Sequence, residues 1–307
     1  KRVIIGTRGS KLALTQTSMV IEDLRQREPQ YEYITKIIKT SGDGGNIDTM
    51  GAFTTAIQVA LLNGEVDIAV HSFKDLPIEE VNGLKIAAVT KREDVRDVII
   101  SRTGKKLAEL PKGAVIGTGS LRRKIQLKNM YPGLEIKFIQ GNVDSRIKKM
   151  MDGDYDAVIL AAAGLRRLGM FSEVTEVLDE TDMLPAVGQG ALALEVRKDD
   201  QEIRDLVATV NDEATAFATF AERKYLQALG GGCNFPIASY ATVSNDSIII
   251  RGLFATEDGK HTTVGEVEGE TKDYKKLAKE LANKLEVKLQ SLKSSHLRNT
   301  IDENAKS

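Results

Sequence analysis

Val3-Ile4-Ile5-Gly6-Thr7-Arg8-Gly9-Ser10, near the start of the chain, is echoed far downstream by Ala114-Val115-Ile116-Gly117-Thr118-Gly119-Ser120. Each stretch reads as a β-branched strand, a Gly-Thr step, a short polar turn and the start of a helix. Two further matches follow in the same order. Ile37-Ile38-Lys39-Thr40-Ser41-Gly42-Asp43 resembles Lys137-Phe138-Ile139-Gln140-Gly141-Asn142-Val143-Asp144. Gly64-Glu65-Val66-Asp67-Ile68-Ala69-Val70 resembles Gly153-Asp154-Tyr155-Asp156-Ala157-Val158-Ile159. Any one match is weak, but their shared order indicates two similar lobes, with a cleft between them where a ligand binds.

Working outward, Ala13, Thr17, Val20 and Leu24 fall at helical spacing. A strand is expected over residues 34–40, a helix over 53–62 and a buried-type strand over 67–71. Alternation of this kind implies α/β lobes built on largely parallel sheets. The last third changes character. Strands are expected over 237–243, 247–255 and 262–267, joined by turns at Asn245-Asp246 and Asp258-Gly259. A charged helix pattern covers 272–292, completing a small C-terminal α+β domain. The polar stretch 294–307 lacks periodicity and reads as a disordered tail.

Composition narrows the function. The chain has 307 residues, enough for two or three domains. No apolar run approaches the ~20 residues that cross a bilayer, and the first residues turn polar too soon for a signal peptide. A single cysteine excludes an internal disulfide and fits a reducing, cytoplasmic setting. With three histidines beside that cysteine, no metal site is expected. A net charge of −1 exerts no general pull on nucleic acid, so anion recognition has to come from local clusters.

Several such clusters stand out. A helix N-terminus following each Gly-Thr turn suits a carboxylate or phosphate, with Arg8, Ser10, Thr118 and Ser120 as contacts. Ordinary helix capping by the two serines accounts for the same pattern. Arg122, Arg123, Arg146, Arg166 and Arg167 gather at successive β–α junctions, where a guanidinium fork matches carboxylates; solvated surface arginine is the plain alternative. His71-Ser72-Phe73-Lys74-Asp75 ends an apolar strand at the edge where ligands of such sheets bind. Asp75 there stabilises a cation or shuttles a proton, unless it only caps a helix or pairs with Lys74. His71 by itself reads as a structural hydrogen-bonding residue. Gly230-Gly231-Gly232-Cys233 puts the lone thiol behind three glycines, which suits a cysteine approached by a bulky group. A buried inert cysteine is the alternative.

Five strings taken together resemble the porphobilinogen deaminase family: Val70-His71-Ser72-Phe73-Lys74-Asp75, Arg92-Glu93-Asp94-Val95-Arg96-Asp97, Ile116-Gly117-Thr118-Gly119-Ser120-Leu121-Arg122-Arg123, Pro185-Ala186-Val187-Gly188-Gln189-Gly190-Ala191-Leu192 and Gly231-Gly232-Cys233-Asn234-Phe235-Pro236-Ile237. The resemblance extends to about residue 290. It implies two lobes like those of periplasmic binding proteins, formed by residues 1–90 with 191–210 and by 91–190, and a third domain over 211–307. It also implies a cytoplasmic, monomeric transferase that joins four porphobilinogen molecules head to tail into hydroxymethylbilane, for tetrapyrrole and heme synthesis. Neither nucleic acid nor membrane takes part. A dipyrromethane cofactor, thioether-linked to Cys233, is the primer.

By the same resemblance Asp75 is the catalytic carboxylate. It stabilises the azafulvenium cation left when ammonia departs, most strongly where water is excluded. Arg8, Lys74, Arg92, Arg122, Arg123, Arg146 and Arg167 match basic cleft residues that pair with the acetate and propionate groups. Ser72, Thr118, Ser120 and Gln189 match polar contacts, and Phe53 matches a lid position. Three departures bear on activity. Gln140 stands where the family has arginine before Gly-Asn, and glutamine supplies no fixed charge; weaker carboxylate binding, poorer primer assembly or stalled elongation follows. Thr54-Thr55-Ala56 replaces a Lys-Glu helix start, and the loop over residues 44–51 is short. The rival reading is a non-catalytic two-lobed binding protein for a polycarboxylate; the fold alone permits it.

Overall fold

A computed structural model describes residues 1–39, 54–231 and 236–304 of the chain, with side chains described as far as residue 295. Phe53, residues 44–51 and Cys233, singled out above, lie outside the described residues.

The first lobe opens with β1 (Arg2–Thr7), in which Val3 and Ile5 are fully buried. Ser10 accepts a hydrogen bond from the Ala13 N–H and caps α1 (Lys11–Arg27), meeting one of the donors a helix start leaves open. Val20, Ile21 and Leu24 turn the buried stripe of α1 onto the sheet. β2 (Glu32–Ile37), α2 (Thr55–Leu62) and β3 (Ile68–Ser72) follow, then a 3₁₀ turn over Phe73–Asp75 and β4 (Leu84–Val89). The second lobe comprises β5 (Asp97–Ser101), β6 (Val115–Gly117), α3 (Leu121–Met130), β7 (Glu135–Lys137), α4 (Val143–Met151), β8 (Ala157–Ala161), α5 (Ala162–Arg167) and β9 (Glu176–Val177). β10 (Leu192–Arg197) returns to the first sheet, and α6 (Gln201–Ala208) packs Ile203, Leu206 and Val207 into the same core as Val3.

The strand orders are β2-β1-β3-β10-β4 and β7-β6-β8-β5-β9. The order of the sequence repeat therefore survives as geometry: β1 corresponds to β6, β2 to β7 and β3 to β8. The sheets are mixed rather than largely parallel. β10 runs antiparallel to β3 and β4, and β5 runs antiparallel to β8 and β9. Each of these central strands reaches its sheet by crossing from the other side of the hinge, which reverses its direction.

The two crossing segments are bonded to each other. The Glu93 N–H donates to the Gly190 carbonyl at 3.1 Å, and the Thr90 N–H to the Leu192 carbonyl at 3.1 Å. Gly190 has φ +91°, and a Cβ there would lie 2.5 Å from the Glu93 carbonyl oxygen. Only glycine fits that crossing.

The third unit packs α7 (Glu213–Ala228) and α8 (Tyr274–Asn304) on one antiparallel sheet of β11 (Ile237–Ser244), β12 (Ser247–Ala255) and β13 (Thr262–Glu270). Tyr225, Ile250, Leu281 and Leu285 fill its core. The helix α8 runs on to Asn304, where a disordered tail was expected. Residues 293–304 contain neither glycine nor proline, so nothing breaks the hydrogen-bond ladder. Their weak apolar periodicity hid the helix from a reading of the sequence. Leu289 is the last of its buried residues among those described.

Candidate active site

A cavity of about 1160 Å³ opens between the two lobes at the ends of the strands. The first lobe contributes the turn after β1, the end of β2 and the 3₁₀ turn after β3. The second contributes the turn after β6, the segment after β7, α4 and α5. Single-ligand pockets commonly hold roughly 300–1,000 Å³, so this space suits something larger than one small molecule.

Its charge is one-sided. Arg8, Lys11, Lys39, Lys74, Arg123, Arg146, Lys149 and Arg167 line it, against the two carboxylates Asp75 and Asp144. Low-dielectric walls lined by one sign of charge concentrate field lines on a polyanion. The walls crowd the Lys74 ammonium and Arg123 repels it. Together these push Lys74 down to about 8, against the pull of Asp75. Lys74 is nonetheless open to the cleft water, so an arriving carboxylate meets it directly. Burial and Arg123 push Arg146 down as well, with Asp75 opposing. Asp75, from the first lobe, therefore lies within electrostatic range of Arg146 from the second.

Ser10 and Ser120 both line the cavity and both cap helices, Ser120 accepting from the Arg123 N–H at 3.4 Å. The Ser72 hydroxyl lies 3.0 Å from the Gln16 amide nitrogen at the cavity wall. Gln140 is exposed to the cavity, with its carbonyl held by the Lys149 ammonium at 3.1 Å. Arg167 donates to the Gly190 carbonyl at 2.6 Å. Its Nε is buried with no hydrogen-bond partner among the described residues. A buried unsatisfied guanidinium N–H on a cavity wall calls for an acceptor, and the carboxylates of an oligopyrrole supply one. The cavity therefore fits a dipyrromethane group on size, charge and this unpaired donor.

Four expected contact residues, Arg92, Thr118, Arg122 and Gln189, stand behind the wall rather than on it. Arg122 and Arg123 share the buried carboxylate of Asp97. Arg122 Nη1 reaches one oxygen at 2.7 Å, and Arg123 Nη2 and Nε reach the other at 2.7 and 3.1 Å. Gln189 donates to the same carboxylate at 2.9 Å and to the Val95 carbonyl at 2.7 Å. Burial opposes ionisation of Asp97, but the two guanidiniums overcome it and hold the carboxyl far below the usual range. Arg123 alone of this group reaches the cavity. The Thr118 hydroxyl is spent on the Ser120 N–H at 3.1 Å.

Arg92 is turned to the third unit. Its Nη1 and Nη2 grip Glu222 of α7 at 2.6 and 3.0 Å, while its Nε donates to the Gln189 carbonyl at 2.9 Å. Glu222 is fully buried and also accepts from the Gly188 and Ala241 N–H groups at 2.7 and 2.8 Å. It thus ties the hinge to α7 and β11. Arg166 leaves the site for Asp94 at 3.2 Å and lies over the Phe171 ring. His71 is structural, its Nε2 being 3.1 Å from Glu195. Asp97, Glu222, Lys11, Lys39 and Lys149 were not singled out from sequence. Asp97 carried a signal, a carboxylate heading the apolar run Val98-Ile99-Ile100.

Gly231 is the last described residue before Cys233. A Cβ there would lie 2.0 Å from Ile78, which follows shortly after Asp75 in the chain. Gly231, just past the end of α7, thus lies beside the segment that carries the cleft carboxylate.

Comparison with known proteins agrees with this geometry. The model of the porphobilinogen deaminase dipyromethane cofactor binding domain matches residues 3–205, and that of the porphobilinogen deaminase C-terminal domain matches 216–287. The chain belongs to the porphobilinogen deaminase family. It is 47% identical over 268 residues to porphobilinogen deaminase of Shouchella clausii, covering 85% of this chain and 86% of that one. With the Thermus thermophilus porphobilinogen deaminase it shares 44% identity over 282 residues, covering 91% and 94%. Among solved structures, the methionine binding protein MetQ covers 70% of this chain and 92% of its own at 12% identity, with a TM-score of 0.46. The family membership makes this chain a transferase of tetrapyrrole biosynthesis with porphobilinogen as substrate and dipyrromethane as cofactor. It sets aside the non-catalytic binding-protein reading. No helix among the described residues is long and apolar enough to cross a membrane.

Proposed function

We propose that Asp75 is the carboxylate on which the reaction turns, and that the cationic cleft around it holds the acetate and propionate groups of the substrate and the growing chain. The observation that carries this is the placement of one carboxylate from the first lobe within a cavity lined by eight cationic side chains. When bound at Cys233, dipyrromethane supplies the nucleophilic pyrrole carbon from which the chain is extended.

The protein residues do the rest. As the aminomethyl C–N bond of porphobilinogen breaks and ammonia leaves, positive charge spreads into the pyrrole ring. Asp75 is ready to balance that charge at the ring N–H, and it takes up the proton lost when the new carbon–carbon bond restores aromaticity. Arg8, Lys74, Arg123, Arg146 and Arg167 bind carboxylates, with Ser10, Ser72, Ser120 and Gln140 as uncharged partners. Arg92, Arg122, Thr118 and Gln189 act through others: they fix Arg123, the hinge and the turn after β6. Phe53 and Cys233 keep their lid and attachment roles in this reading. So does the division of the chain into 1–90 with 191–210, 91–190 and 211–307, working as a cytoplasmic monomer.

Asp75→Asn tests the central claim. Asp75 is exposed, so the fold should survive and thermal unfolding should be unchanged. Formation of hydroxymethylbilane should fall by about 10²–10⁴-fold, the usual loss on removing a positioned acid–base group. Undiminished bilane output would refute the assignment.

A further inference from the structure

We propose that Ile37 and Phe138 form a two-sided apolar clamp at the cleft mouth that takes the ring face of a pyrrole in the growing chain. The inference rests on the family activity and adds two residues to it. Phe138 is 67% exposed and Ile37 55%, and both line the same cavity; its other large apolar lining residues, such as Leu12, Ile139 and Leu160, are not among the exposed large hydrophobics. Single exposed apolar residues are commonplace; this pair is matched by the pseudo-symmetry of the lobes.

Register shows the match. Thr7 of β1 pairs with Ile37 of β2. In the second lobe Gly117 pairs with Lys137, and the Thr118 N–H donates to the Lys137 carbonyl at 2.9 Å. The next step of that ladder sets Thr118 beside Phe138. Since Gly6-Thr7 corresponds to Gly117-Thr118, Ile37 and Phe138 occupy the same place in the two lobes. Each also lies over the glycine that precedes its lobe's capping serine. A Cβ on Gly9 would meet Ile37 Cγ2 at 3.4 Å, and one on Gly119 would meet Phe138 Cε2 at 3.3 Å.

The substrate has two chemistries. Its carboxylates sit at the ring edge and find the cations deeper in the cleft. Its ring face is apolar and aromatic, and gains from an aromatic ring or a branched aliphatic group. Cations alone would hold the edges and leave the ring free to rotate; the clamp orients it for coupling.

The test compares Phe138→Ser, Phe138→Trp, Ile37→Ser and the double serine variant in the full-length enzyme. Porphobilinogen consumption gives KM and kcat, and intact-mass spectrometry gives the distribution of enzyme-bound chain lengths. Phe138→Ser should raise KM roughly three- to tenfold, the range of one aromatic contact, and shift the bound chains toward one length, with kcat less affected. Phe138→Trp should restore both. The double variant should lose less than the two single losses combined, because both residues contact one ring. Unchanged KM and chain lengths in both serine variants, with Asp75→Asn still inactive, would overturn the clamp and leave the activity intact. A change in small-angle scattering of the ligand-free Phe138→Ser protein would overturn it in favour of a direct latch between the lobes. A wild-type chain that neither consumes porphobilinogen nor gains pyrroles would overturn the activity and the clamp with it.

Discussion

Replacing Asp97 by asparagine should damage this protein more than any substitution on the cleft surface. The side chain is wholly buried, and its carboxylate takes four donors: Nη1 of Arg122, Nε and Nη2 of Arg123, and the Gln189 amide. Asparagine keeps the shape but removes the charge, leaving two guanidiniums buried side by side without a counter-ion. Breaking a buried pair by removing one partner costs about 3–5 kcal/mol. For a protein of this size each kcal/mol lowers Tm by about 2–4 °C, so the midpoint should fall by about 6–20 °C in a calorimetric scan. The sign with pH is fixed by the depressed carboxyl. Its contribution is fully present above the unfolded value near ~3.9 and is lost only as pH falls toward the folded value. The gap between wild type and variant should therefore hold steady through neutral pH and close in acid. Activity, assayed well below the new midpoint, should also drop, because Arg123 loses the support that aims it into the cavity. A Tm within 2 °C of wild type with normal turnover would refute the reasoning.

Other consequences can be read in single experiments. Lys74, pushed down to about 8 in the open cleft, should regain a proton when a polycarboxylate binds. Titrating a pyrrole polyacid into the enzyme a little above pH 8 should then take up protons, and Lys74→Gln should abolish the uptake; equal uptake in both proteins would sink the idea. Gln140→Arg adds a charged fork to a residue already facing the cavity and should lower KM for porphobilinogen by about tenfold, one charge-assisted hydrogen bond; unchanged kinetics would count against it. Glu222→Gln leaves the nearly buried Arg92 guanidinium without its charge partner and should cost about 3 kcal/mol, read as a lower urea midpoint; an unmoved midpoint would show that the hinge is held by other bonds.

The sequence was most informative where the determinants are local. The Gly-Thr turns, the capping serines and the apolar strands recur at fixed spacing, so the twin lobes and the position of Asp75 could be read directly. It was least informative where partners are distant. Glu222 and Arg92 meet across 130 positions, and no periodicity announces such a pairing. Arginines read as ligand contacts from their place at β–α junctions or from the family resemblance divided in the fold. Arg123, Arg146 and Arg167 face the cavity, whereas Arg92 and Arg122 are consumed by buried carboxylates. A carboxylate of the protein and one of a ligand ask the same of an arginine, so only three-dimensional placement tells them apart. The antiparallel centre of each sheet was equally hidden, since a strand's direction depends on the path the chain has taken to reach it.

That path also constrains how the molecule is made. The first sheet has β3 and β4 as neighbours of β10, so until residue 197 has left the ribosome those two strands lie beside an empty slot. A nascent chain halted at the hinge would display two bare strand edges, the kind that recruit other chains. The first lobe therefore cannot close until the second has been synthesised, whereas the second draws all its strands from one continuous stretch, Asp97 to Val177, and can form its sheet first.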